Sequence, residues 1–144
     1  MKIAIASDHA GFYLKDQIKK TLDSLSITYE DLGPDDTDSV DYPDFARKVA
    51  EAVQNGSRGI LCCGTGIGMS IAANKFKGIR AALCNDIYAA QMSREHNDAN
   101  ILIMGGRILK DSQEIESIVK TWLQTEFQGG RHQRRIDKIS DFES

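Results

Sequence analysis

Apolar positions along the chain follow two alternating rhythms. Short runs of near-continuous hydrophobicity at 2–7, 27–32, 58–63, 79–83 and 101–104 read as five strands. Between them, apolar residues recur at helical spacing. Leu14, Ile18, Leu22 and Leu25 form one stripe, Phe45, Val49 and Val53 a second, and Ile115, Ile118, Val119, Trp122 and Leu123 a third. A short helix is expected over 71–75, and another from Asp86, a capping residue, through Ala90 and Met92 to about His96. The breaks carry turn chemistry: Gly33-Pro34, Asn55-Gly56, Pro43 suited to a first helical turn, and Asp111-Ser112-Gln113-Glu114 with capping-box form. After Gly129-Gly130 the apolar stripe stops. A polar segment over 131–142 reads as a helix projecting from the body.

Strands alternating with helices, several of them apolar on both faces, predict a doubly wound parallel sheet covered by helices on each side. The expected fold class is therefore α/β, flavodoxin- or Rossmann-like, with strand order 2-1-3-4-5 and a C-terminal arm over 129–144. In that order ligands bind beyond the carboxyl ends of strands one and three. Asp8-His9 follows the first strand and Cys63-Gly64 the third, so both loops face one crevice.

The chain has 144 residues, enough for a single domain with a full core and no repeat or linker. A formal net charge of −3 argues against a nucleic-acid binder of the whole-surface kind. No apolar run approaches the ~20 residues that span a bilayer, and Met1 to Asp8 breaks into charge too soon for a secretory leader. Three cysteines, two of them adjacent, make no disulfide framework. A reduced, cytoplasmic protein is expected.

The richest chemistry lies at Cys63-Gly64-Thr65-Gly66-Ile67-Gly68. Strand, glycine loop and helix leave several backbone N–H groups pointing at one spot, which suits an anion. The spacing is neither that of the dinucleotide fingerprint nor that of the phosphate-binding P-loop. Asp86 imitates a ribose-binding acid, yet a dehydrogenase needs a substrate domain that this length excludes. A free thiol ionises near ~8.5, and a helix N-terminus supplies ~0.3–1 kcal/mol toward the thiolate, at best ~2. Cys63 at the lip of the loop is thus a candidate base, while Cys62 and Cys84 read as buried structural cysteines. His9 closes a strand, His96 sits near a helix end, and His132 lies in a basic segment. Cysteine and histidine spacings do not suggest a metal site. Arg131, Arg135 and Lys138 share one helical face, which is either solvated or a phosphate grip. These residues point to a phosphorylated small substrate, and the competing reading is a non-catalytic sugar-phosphate or nucleotide-binding module.

Ser7-Asp8-His9-Ala10-Gly11, Asp41-Tyr42-Pro43, the Cys63–Gly68 loop, Ser70 to Lys75, His96-Asn97-Asp98 and Gly129-Gly130-Arg131-His132 closely resemble the type B ribose-5-phosphate isomerases. The likeness runs from end to end. That family, with the galactose- and allose-6-phosphate isomerases, interconverts phosphorylated aldoses and ketoses without metal or cofactor. The resemblance implies Cys63 as the base at C2, with the amides of Gly64, Thr65, Gly66, Ile67 and Gly68 cradling the enediolate. Asp8, Thr65 and His96 would open the sugar ring. His9, Arg107, Arg131 and Arg135 would hold the phosphate, and Tyr42 and Asn97 the sugar. One branch of the family has a glutamate base directly after the third glycine. Met69 stands there, so the cysteine branch is implied. The resemblance further implies a homodimer, or a tetramer of such dimers, with Cys63 and Asp8 from one subunit and His96, Arg131 and Arg135 from the other.

Overall fold

The computed structural model describes residues 1–143. Five parallel strands alternate with helices: β1 (Lys2–Ser7), α1 (Phe12–Ser24), β2 (Thr28–Asp31), α2 (Tyr42–Gln54), β3 (Arg58–Cys63), α3 (Ile67–Ala73), β4 (Ala81–Leu83), α4 (Ile87–Glu95), β5 (Ile101–Gly105), α5 (Ser112–Gln124) and α6 (Arg131–Ser140). Local chemistry sets several of these boundaries. Asp86 Oδ1 accepts from Ala89 N at 2.7 Å and starts α4. Asp111 Oδ1 accepts from Gln113 N at 2.9 Å and starts α5. Pro43 lies in the first turn of α2, where its missing N–H costs nothing.

Strand order is β2-β1-β3-β5-β4. This corrects the expected 2-1-3-4-5, because β5 lies between β3 and β4. Burial supplies the reason. All five residues of β5, Ile-Leu-Ile-Met-Gly, are buried, whereas β4 has three residues and ends on a partly exposed Leu83. A strand apolar on both faces gains most at the centre, and a short one costs least at the edge. The open side of β4 is covered by a side chain. Asn74 Nδ2 donates to Ala81 O at 2.9 Å, and Ala81 N donates to Asn74 Oδ1 at 2.8 Å, as a neighbouring strand would.

Right-handed crossovers then dictate the layers. The steps β1→β2 and β4→β5 run one way, so α1 and α4 share a face with α5. Their core holds Ile3, Ile18, Leu22, Leu102, Ile118 and Trp122. The steps β2→β3 and β3→β4 run the other way, and α2 and α3 cover a second core around Val49, Leu61, Met69 and Ile103. Each fully buried large aliphatic contributes ~1.5–3 kcal/mol.

The last helix, α6, is tethered rather than free, which modifies the expected projecting arm. His132 and Ile136, one turn apart, are buried, and Glu143 accepts from Gly78 N at 3.0 Å. Arg131 and Arg135 on the other face are exposed. Among the described residues no helix is long and apolar enough to cross a membrane.

Candidate active site

Register brings three strand ends level. Ser7 pairs with Cys62, and Cys63 pairs with Gly105. The loops beyond them therefore converge, and they enclose a cavity of about 560 Å³ lined by Asp8, His9, Tyr42, Cys63, the glycine loop and Arg107. The revised strand order matters here. With β5 beside β3, Arg107 N donates to Gly64 O at 2.8 Å, and its guanidinium lies against Gly64.

Strand alternation separates the adjacent cysteines. Cys62 points into the core beneath α1 and α5, and Cys63 to the other face, against α2 and α3. Burial pushes the Cys62 thiol well above the usual range, and pushes Cys84 up to about 11. Both stay protonated at neutral pH, so neither serves as a base. Cys63 lines the cavity, and Gly66 N donates to its Sγ at 3.2 Å.

The glycine loop is shaped for close approach. Gly66 has φ +87°, a left-handed conformation that turns the chain into α3. A Cβ on Gly68 would lie 2.7 Å from the Tyr42 ring, so only glycine lets Tyr42 close over the loop. The N–H groups of Gly64, Thr65 and Gly68 have no internal partner among the described residues. They are free to bind an oxyanion.

Asp8 is buried, and its Oδ1 accepts from Gly11 N at 2.9 Å. Val40 N donates to His9 Nδ1 at 3.2 Å, which leaves the ring proton on Nε2 and ties the acidic loop of 35–41 to the site. Asn85, assigned no role from the sequence, bridges the loop after β3 and the end of β5. Its Oδ1 accepts from Gly105 N at 2.8 Å and its Nδ2 donates to Thr65 O at 3.3 Å, clamping the glycine loop to β5. Its place at the end of β4 was the available signal.

Four expected site residues lie elsewhere in the chain. Helix α4 starts beyond the carboxyl end of β4 and runs back, so His96 and Asn97 lie at the opposite edge, the one formed by the amino ends of the strands. Gly59 N, at the start of β3, donates to Asn100 O at 2.9 Å. The length of β3, about 17 Å, separates that edge from Cys63. His96 stacks on His132 with centroids 4.3 Å apart, which puts Arg131 and Arg135 on the same side. Loss of solvent, then the charges of His96, Arg131 and Arg135, hold His132 below the usual imidazole range.

Fold and site together define a doubly wound α/β protein with a thiol set against a loop of unpartnered amides at its switch point. The profile of the ribose/galactose isomerase family matches residues 3–139. A putative sugar phosphate isomerase of Bacillus subtilis, YwlF, is 58% identical, over 99% of this chain and 97% of its own. The solved ribose-5-phosphate isomerase B of Clostridium thermocellum is 54% identical, with TM-score 0.96 over 99% of this chain and 97% of its own. That of Mycoplasma genitalium with bound ribulose 5-phosphate is 44% identical, with TM-score 0.94 over 99% and 95%. The chain belongs to the ribose/galactose isomerase family.

Proposed function

We propose that the chain interconverts ribose 5-phosphate and ribulose 5-phosphate in the cytoplasm, with Cys63 as the base. The observation that carries this is the Cys63 Sγ opening on a cavity rimmed by unpartnered amides, in a chain similar throughout to an isomerase that binds ribulose 5-phosphate. The open-chain aldose lies with C2 over Cys63. The thiolate takes the C2 proton, and negative charge moves onto O1, where the loop amides receive it. The O2 proton passes to O1, and the Cys63 thiol returns its proton to C1, leaving a ketone at C2. No proton is gained or lost. A positioned base typically contributes 10²–10⁴-fold, and each oxyanion donor ~2.7–4 kcal/mol. Asp8 and Thr65 assist ring opening, Tyr42 contacts the sugar, and His9 and Arg107 meet the phosphate.

His96, Asn97, Arg131 and Arg135 enter this scheme from a second copy in a C₂ dimer. A single chain holds them across the sheet from Cys63, where they cannot touch its substrate. Ile67 and Ile71 at the cavity mouth, with Leu83, Ile87 and Tyr88 beyond, are exposed apolar side chains that support such an interface. His96 then acts as the acid in ring opening, and the two arginines complete the phosphate grip.

Incubation with ribose 5-phosphate in D₂O tests the reading by NMR. Ketose should form and deuterium should enter C2 of the recovered aldose. A binding module gives neither. Galactose 6-phosphate in the same assay separates pentose from hexose preference.

A further inference from the structure

A second cavity, of about 550 Å³, opens at the sheet edge opposite the Cys63 cavity and is unused by the proposed reaction. Two arginines lie in its wall. Arg94 is only 3% exposed. Its Nε donates to Thr125 O at 3.2 Å, and its Nη1 to Asp98 Oδ1 at 2.8 Å and Ala99 O at 2.7 Å. Its Nη2 has no partner among the described residues. Arg58 is half-buried, and among the described residues its guanidinium has neither a hydrogen-bond acceptor nor a carboxylate in an ion pair. Both guanidinium carbons lie near the Trp122 ring, at 5.7 Å for Arg58 and 5.9 Å for Arg94.

This is an unsettled arrangement. Burial first, and then the Arg94 charge, hold the Arg58 pKa below its usual value, with Asp98 offsetting part of the effect. Of the two guanidinium groups only Arg94 has a carboxylate in an ion pair, Asp98 at 2.8 Å. The other lining charges do not supply one. Lys2 is paired with Glu30 at 3.0 Å, and Glu126 is exposed without an ion pair among the described residues.

We propose that this cavity is a second phosphate site, in which Arg58 and Arg94 Nη2 grip the phosphate group of a small phosphorylated molecule. Guanidinium forks match phosphate oxygens in pairs. The volume is in the range of small-molecule sites, ~300–1,000 Å³, and Leu123 and Phe127 give the rest of the ligand an apolar wall. The occupant sits at the root of the arm. Thr125 and Phe127 belong to the segment joining α5 to α6, whose Gln128 N donates to Glu95 O at 3.1 Å.

Trp122 is the chain's single tryptophan, so its emission reports on this site independently of turnover. Inorganic phosphate is titrated at constant ionic strength against chloride, in the wild type, Arg58→Gln and Arg107→Ala. The expected result is a saturable emission change in the wild type and Arg107→Ala, with the midpoint raised at least about tenfold in Arg58→Gln. Isomerase activity of Arg58→Gln should equal the wild type. Arg58→Lys, which keeps charge but loses the fork, should fall between. No saturable change, an unmoved midpoint in Arg58→Gln, or a signal lost in Arg107→Ala would each overturn the site. Adenosine 5′-monophosphate forms a second arm. A midpoint below that of inorganic phosphate supports a phosphorylated molecule as occupant, and one no lower overturns that part, leaving the free ion.

Discussion

At the scale of single residues, two neighbouring thiols have opposite fates because a strand alternates. Cys63→Ala should lower kcat by at least about 10²-fold with KM within a few-fold, since the thiol moves a proton rather than holding substrate. Cys62→Ala should retain most of the rate and lose stability instead, because its sulfur fills the core. Steady-state kinetics on the two variants decides, and equal losses of rate would remove Cys63 from the base role. His132 makes a pH prediction. Its folded-state pKa is depressed, so below its unfolded value of about 6.5 the folded chain binds fewer protons than the unfolded chain. Stability is therefore full above that value and is lost as pH falls through the window. Thermal unfolding between pH 7 and 5 should show a shallower decline of Tm in His132→Gln than in the wild type.

At the scale of elements, the site depends on how the glycine loop is fastened between β3 and β5. Asn85 provides that fastening with both ends of its amide. Asn85→Ala leaves Gly105 N–H without its acceptor, a loss of ~1–3 kcal/mol, and it frees Thr65 O. A drop in Tm together with a fall in kcat larger than the rise in KM is expected. Asn85→Asp restores the acceptor and not the donor, so it should recover more of Tm than of kcat. If Asn85→Ala lowered Tm and left kcat alone, Asn85 would be a structural residue only. The edge strand β4 follows a related economy. Asn74 replaces the missing neighbour with one side chain, which lets a three-residue strand close the sheet.

At the scale of the whole molecule, the parts proposed for one reaction lie at opposite ends of the strands of one sheet. A dimer reconciles them, and complementation tests it. Cys63→Ala and Arg135→Ala, each nearly inactive, are unfolded and refolded together in equal amounts. Half of the dimers are then mixed, and every mixed dimer carries one intact site. Activity should return to about a quarter of wild type. A mixture no more active than its components would mean that each chain works with its own residues, and the proposed shared site would fall.

Several features were legible in the sequence because local physics sets them. Near-continuous apolar runs marked the strands, period-3.6 stripes marked α1, α2 and α5, and Asp86, Asp111 and Pro43 marked helix starts, since caps and turns involve neighbours a few residues apart. Helix α3, expected over 71–75, starts earlier, at Ile67, because the glycine loop itself turns into its first residue. The loop after β3 was legible for the same reason: thiol and amides are contiguous in the chain. The order of β4 and β5 was not legible, because strand pairing is chosen by competing burial across the whole sheet, and local pattern does not rank one apolar strand above another. With that order came the placement of Arg107 on Gly64 and the clamp by Asn85. The distance of His96 from Cys63 was likewise a tertiary matter. Only the direction of α4 across the sheet puts a residue that follows the fourth strand at the edge where the third begins.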